Sequence, residues 1–268
     1  HLFNAQLPTA DIAVDRALTW LGEERAAEDP FFLFLHLFDT HDDYVAPEPF
    51  SNPFDPDYEG SIDGSRITTP DSPVRGDMPA EDLAHVRARY LGEVAWVDHQ
   101  VGRLLDGLAS LGLEEDTLVV LTSDHGEEFY EHGKKTHRTQ LYRESVHVPL
   151  VFSWPGRLPA GGKIDGPVGL VDLVPTIAAL ADIPGPQSTS GRDLSAVLRG
   201  ETPNKEMVYV SELKVFQNGQ PIPDRHTGLR RGTLHCLVVT DHAGVRRGTV
   251  YDVSTSPGEE GTGLLFGE

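Results

Sequence analysis

The chain has 268 residues, 38% of them hydrophobic and 24% charged, which is enough to bury one sizeable core with room for a small appended subdomain. Forty-two acidic against 22 basic residues give a formal charge of −20, which repels phosphate backbones and argues against nucleic-acid binding. The single cysteine, Cys236, excludes an internal disulfide framework and a cysteine-cluster zinc site, and reads as a small buried hydrophobe within Leu234 to Val239.

The chain opens at His1 without an initiator methionine, a charged leader or an apolar core segment, so His1 reads as a cut end with any localisation signal upstream. From Thr9 onward Val14, Ala17, Leu18 and Leu21 recur at helical spacing, with Thr9 placed to cap. The longest apolar run, Phe31 to Phe38, spans eight residues and contains His36. It is too short to cross a membrane and reads as a central strand covered on both faces. Between Thr40 and Pro79, proline, aspartate, glycine and serine dominate without periodicity, as in a long surface excursion. Val94, Val97, Val101, Leu104, Leu105 and Leu108 mark one face of a long helix from about Glu81 to Leu111, ended by Gly112.

TLVVLTS, Thr117 to Ser123, is an apolar, β-branched strand, and Val148 to Trp154 is another. A helix with Pro175 in its first turn carries Ile177 and Leu180 inward. Strands near Met207 to Val210, Leu234 to Val239 and Thr249 to Val253, separated by glycine-rich turns, predict a small antiparallel subdomain over 207–268 that follows a partial α/β domain over 1–206.

Ligands of open α/β sheets bind beyond the carboxyl ends of strands, which draws attention to Ser123-Asp124-His125-Gly126 and to Asp39-Thr40-His41-Asp42-Asp43. An Asp-His pair there can hold a divalent cation, the carboxylate offering hard oxygen and the imidazole suiting Zn²⁺ or Mn²⁺. Alone, Asp124-His125 reads more readily as a capping aspartate beside a hydrogen-bonded histidine. The crowding of Glu127, Glu128, Glu131, His132, Lys134, Lys135, His137 and Arg138 behind it suits a site that handles an anion beside a metal, although a solvated charged loop explains any one of them.

Thr122-Ser123-Asp124-His125-Gly126-Glu127-Glu128-Phe129, then Glu131-His132-Gly133, Leu141-Tyr142-Arg143-Glu144 and Val148-Pro149-Leu150, resemble bacterial sulfatases of the alkaline-phosphatase superfamily. The resemblance extends through PFFLFLHLFDTHDDYVAP, YLGEVAWVDHQVGRLLDGLASLGL, GLVDLVPTIAALADI and YDVSTSPGEE. It implies an α/β fold, a central mixed sheet flanked by helices, with a small C-terminal antiparallel subdomain. It also implies that Asp124 and His125 ligate one divalent metal. His125 stands where many relatives carry the asparagine that accompanies Ca²⁺, so Ca²⁺ is the family expectation, and the imidazole makes Mn²⁺ or Zn²⁺ an alternative shared with related phosphonate and phosphate ester hydrolases.

By the same resemblance His41 matches a histidine that contacts the sulfate ester, with Asp43 in place of the usual proline before Tyr44. The family lysine that contacts sulfate and protonates the leaving group falls on His137 counted from His132-Gly133, and on Arg138 counted back from Tyr142. His137 is preferred as the acid, with Arg138 kept as a substrate contact. His41 and His137 are expected to border the position shared by Asp124 and His125.

The family nucleophile, a formylglycine made from Cys or Ser in a Cys/Ser-x-Pro-x-Arg motif, and its earlier Asp-Asp pair have no counterpart in these residues. The implied activity is therefore that of a parent sulfuric ester hydrolase acting on a small-molecule or carbohydrate sulfate ester, with this chain inactive by itself. Rivals are a phosphodiester or phosphonate ester hydrolase, a phosphoglycerol transferase, and an inactive fragment or pseudoenzyme. A periplasmic or secreted location is the family expectation.

Overall fold

The computed structural model describes residues 8–41, 43–137, 139–204, 208–217, 220–241, 243–260 and 264–267. The chain divides into two compact units, His1–Glu114 and Glu115–Glu268.

In the first unit, α1 (Ala10–Thr19) runs on into one π-helical turn, Trp20–Glu24. Val14, Ala17 and Leu21 are buried as their spacing predicts. Thr9 does not cap with its side chain. Its N–H and hydroxyl donate instead to the carboxylate of Asp39, the N–H at 3.0 and 3.1 Å and the hydroxyl at 3.2 Å, so the helix start is tied to a distant loop. α2 (Ala80–Ser110) is within one residue of the expected span at each end. It stops because Gly112 adopts φ +69 and Leu113 N–H returns to Leu108 O while Gly112 N–H reaches Ala109 O, the paired bonds of a left-handed cap.

The face that α2 buries differs from the expected one. Leu108 is buried, but Val94 and Leu105 are exposed, and the other buried positions are His85, Val86, Ala88, Gly92, Glu93 and Gln100. Apolar periodicity misses this because the covering layer is loop. Phe50 O lies where a Cβ on Gly92 would come within 2.3 Å, so the chain after Tyr44 is laid directly against the helix backbone. The described residues from Thr40 to Pro79 form no helix or strand, as expected. The stretch is nonetheless more than a surface excursion, since Tyr44, Ala46, Ile62, Ile67 and Val74 are all buried.

The strand expected over Phe31 to Phe38 does not form: no ladder partner exists for it among the described residues. Phe32 and Phe34 are each 79% exposed. A run apolar on both faces needs neighbours on both sides to be a central strand, and its pattern alone cannot supply them.

In the second unit β1 (Val119–Thr122) pairs antiparallel with β4 (Leu150–Ser153), with Thr122 opposite Leu150. Between them lie the short hairpin β2 (Glu128–Phe129) and β3 (Lys135–Thr136) and one helical turn, α3 (Arg143–Val146). α4 (Leu173–Leu180) has Pro175 in its first turn, buries Leu180 and leaves Ile177 half-buried; α5 (Ser195–Leu198) follows.

The C-terminal sheet has five antiparallel strands in the order β5 (Val208–Gln217), β6 (Gln220–Arg231), β7 (Leu234–Thr240), β8 (Arg246–Asp252) and β9 (Leu264–Gly267). Three were expected; Met207, the expected first residue of one, lies outside the described residues. β6 escaped notice because Pro221, Pro223 and Gly228 read as turn residues. Its prolines are tolerated because pairing with β7 begins only at Arg225, so both lie where the strand has a partner on one side. Tyr209 of β5 donates to Asp172, which also accepts Arg192 N–H at 2.7 Å, tying this sheet to the turn before α4.

Two glycines of α2 give a paired test. Gly92→Ala should destabilise the protein by about 1–3 kcal/mol, because the new methyl meets a backbone oxygen. Gly102→Ala, with nothing within 4 Å of its added Cβ, should stabilise it by about 0.5–1 kcal/mol through helix propensity. Urea midpoints that move in the same direction would refute the packing assigned to Gly92.

Candidate metal and anion site

β1 delivers the chain into Ser123-Asp124-His125-Gly126. Ser123 Oγ donates to His125 O at 2.6 Å and Asp124 Oδ1 accepts His125 N–H at 3.0 Å, so the turn is closed on itself. His125 Nδ1 lies 2.8 Å from Gly126 O. A carbonyl can only accept, so Nδ1 carries the proton and, in the neutral ring, Nε2 keeps its lone pair. That Nε2 is 3.7 Å from Asp124 Oδ2. Two donors that share a cation at roughly 2.0–2.6 Å each can stand up to about 5 Å apart, so the pair fits two ligands of one divalent ion. Among the described residues no group of three or more His, Cys, Asp or Glu is arranged to hold a metal.

Gly126 is required by proximity. Its N–H donates to Ser145 O at 2.9 Å, and a Cβ would lie 1.9 Å from Glu144 O. The turn after β1 is thus pressed against α3. His137 follows β3, and its ring stacks on that of His125 with centroids 4.1 Å apart at 28°. His137 Nδ1 lies 3.5 Å from Glu127 Oε1, and both side chains are buried. The fold therefore brings Asp124, His125 and His137 together, and adds Glu127, a member of the crowded segment to which the sequence assigned no individual role. Its signal was a glutamate following the Asp-His-Gly turn by one position.

Arg138 lies outside the described residues. Lys134 is exposed at the tip of the β2–β3 hairpin. His41 belongs to the first unit, where its ring stacks on Phe38 at 4.6 Å. The turn that carries it is held by Glu93, whose carboxylate accepts Thr40 N–H and Val45 N–H at 2.9 Å each. Asp43, standing in place of the family proline, accepts Ile67 N–H at 2.8 Å and so closes the loop by a different route.

Two further groups of the crowded segment serve structure. Glu128 is buried, and burial pushes its carboxyl up although Thr139 and Ser145 hydroxyls donate to it at 2.6 and 2.7 Å. His132 lies flat on Tyr142, centroids 3.6 Å apart, with Nδ1 2.7 Å from Glu144 Oε1 and Nε2 3.2 Å from Glu259 O. Burial opposes its charge, but the Glu144 hydrogen bond and the Glu259 carbonyl outweigh it and hold the imidazole above its ordinary pKa. Glu259, itself buried at φ +56, also accepts Arg143 N–H at 2.9 Å and contacts His235 Nδ1.

This fold is the alkaline-phosphatase-like α/β fold. Over 93% of this chain and 54% of the other, it superposes on the phosphonate monoester hydrolase SpPMH from Silicibacter pomeroyi with TM-score 0.73 and 24% identity. Over 95% and 65% it superposes on BT4656, solved with its substrate D-glucosamine-2-N,6-O-disulfate, with TM-score 0.70 and 21% identity. The sulfatase family model matches residues 8–183, and a model described as N-sulphoglucosamine sulphohydrolase, C-terminal, matches residues 130–261.

The chain belongs to the sulfatase family. It is 30% identical over 237 residues to arylsulfatase K of Bos taurus, covering 77% of this chain and 41% of that protein, and 31% identical over 211 residues to steryl-sulfatase of Mus musculus, covering 73% and 28%. It thus spans less than half the length of these relatives. Among the described residues no helix is long and apolar enough to cross a membrane.

His132→Gln provides a test by pH. A histidine whose folded pKa is raised contributes stability that is present below about 6.5, its unfolded value, and is lost as pH rises through the folded value. The variant should lose about 1.5–3 kcal/mol at the acid end and distinctly less in alkali, read as the wild-type minus variant difference in thermal midpoint. A difference constant with pH would refute the charged pairing with Glu144.

Proposed function

We propose that the protein is a metal-dependent sulfuric ester hydrolase, to which this chain contributes two metal donors and two anion-handling histidines. The observation that carries the reading is the stack of His137 on His125, beside Asp124, on the turn after β1 of a sulfatase-family chain. Asp124 and His125 would hold the ion, Ca²⁺ by family expectation and Mn²⁺ or Zn²⁺ by the chemistry of the imidazole. A cation there supplies Lewis-acid stabilisation of charge developing on ester oxygens.

The chain's own groups divide the remaining work. His137, oriented by its contact with buried Glu127, is the proton donor to the departing oxygen, a role in which imidazole can replace lysine because it exchanges a proton near neutrality. His41, on its Glu93-held turn, contacts the ester's anionic oxygens, and Arg138 offers a further cation to the same group. His137 borders the position shared by Asp124 and His125. We assign the nucleophile to no residue of this chain. Cys236 is half-buried in β7 and burial pushes its thiol up, the opposite of what activates a sulfur nucleophile. The substrate is a small-molecule or carbohydrate sulfate ester. A phosphonate ester is the second reading, supported by the Asp-His form of the turn and by the likeness to SpPMH.

Calorimetric titration of residues 1–268 with Mn²⁺ or Zn²⁺ should show one site that Asp124→Ala weakens at least ~10-fold, the cost of losing a charged ligand. Unchanged affinity in that variant would remove Asp124 from the site. The same chain with Ca²⁺, Mn²⁺ or Zn²⁺ should leave 4-nitrophenyl sulfate and phenylphosphonate esters intact. Metal-dependent turnover abolished by Asp124→Ala would place the nucleophile within these residues and rule out the assignment above.

A further inference from the structure

We propose that Glu93 is a positioning residue whose carboxylate sets the turn presenting His41, and that protonation of this carboxyl loosens that turn. The proposal rests on the reading of His41 as an anion contact and deepens it.

The described residues of Thr40 to Val45 lie in no helix or strand that would satisfy their backbone, and Thr40 sits at φ +78, a costly conformation for a β-branched residue. The two amides that flank His41 converge on one side chain from α2: Thr40 N–H on Oε2 and Val45 N–H on Oε1, 2.9 Å each. Two acceptors on a rigid helix thus fix both ends of the turn. An ionised carboxylate offers only acceptors, whereas a protonated one turns one oxygen into a donor facing an N–H. One of the two anchors must then weaken.

The switch falls in an accessible range. Burial pushes Glu93 up to about 7, with the charge of Asp39 acting in the same sense and the two amides and Arg89 opposing it. Among the described residues Asp39 and Arg89 are charged groups that act on it, and Asp39 is itself engaged by Thr9 and Trp96 Nε1. Global and local effects have opposite signs. A carboxyl raised from 4.5 to about 7 contributes stability that is present below 4.5 and lost as pH rises through about 7. The grip on the turn is instead strongest above about 7. A purely structural Glu93 would show only the first effect.

The test is an NMR pH titration of the 268-residue chain, following the ¹³C carboxyl of Glu93, the Thr40 and Val45 amides and the His41 ring, with and without inorganic sulfate. The Val45 amide should titrate in phase with the Glu93 carboxyl, near pH 7, moving upfield on protonation. Glu93→Gln should hold Val45 at its acid-limit position and weaken the sulfate response of His41 several-fold. A Val45 amide that ignores the Glu93 carboxyl, or titrates unchanged in Glu93→Gln, overturns the proposal. Should the variant fail to fold, the in-phase titration of the wild type still decides. If Val45 follows Glu93 but sulfate never moves His41, the clamp stands and the anion role of His41 falls.

Discussion

A backbone amide taken out of water must find an acceptor, and where a chain runs for some forty residues without helix or strand no ladder can provide one. Here carboxylates share that role with loop carbonyls such as Gly64 O, which takes Tyr44 N–H. Asp39 takes Thr9 N–H, Glu93 takes Thr40 and Val45, Asp43 takes Ile67, Asp172 takes Arg192, and Glu259 takes Arg143. The acidic excess therefore has an internal use that net charge does not reveal. Each such bond links segments far apart in sequence, so the loops are cross-braced rather than merely capped.

The same device determines how precisely the candidate site side chains are held. Asp124 and His125 sit on a turn pressed against α3 at Gly126, and His137 returns to that turn by way of a two-residue hairpin braced by Glu128. His132 and Glu259 anchor the far side of the hairpin to the C-terminal sheet through His235. Strand ends alone would leave these residues on mobile connections, but buried charge-assisted hydrogen bonds make the connections part of the core. The arrangement explains why a segment dense in charge is only partly solvated. Glu127, Glu128, His132 and His137 face inward, while Asp124 and Lys134 face water.

Local periodicity made α1, α2, β1, β4 and Gly112 legible, because each depends on its own residues and one apolar neighbour. The buried face of α2 was not legible. Glu93 and Gln100 look like solvent positions until the loop that covers them is known, and Val94 and Leu105 look like core. β6 was hidden by prolines that are harmless only where the strand has a single partner. At the site, residue type and spacing pointed to Asp124, His125 and His137, but not to the stacking of two imidazoles or to Glu127 behind them, since both follow from how a hairpin folds back. Cys236, expected as a buried small hydrophobe, is only half-buried in β7.

Phe31 to Phe38 shows the limit of pattern most plainly. Its side chains alternate between half-buried and exposed from Phe31 to His36, so one side of the segment is packed within its unit and the other is open. Sequence composition makes both sides apolar, which is the signature of a strand meant for the interior of a layered sheet. Two phenylalanines in water, on a run with no ladder partner among the described residues, make an apolar face open to association on physical grounds alone. Longer relatives belong to the same family, and in a layered fold a covered face and a paired edge are satisfied together or not at all, because the neighbour that supplies the ladder also supplies the packing. The exposure of Phe32 and Phe34 and the missing strand are therefore one observation, and any segment or chain that pairs with residues 31–38 must bury both.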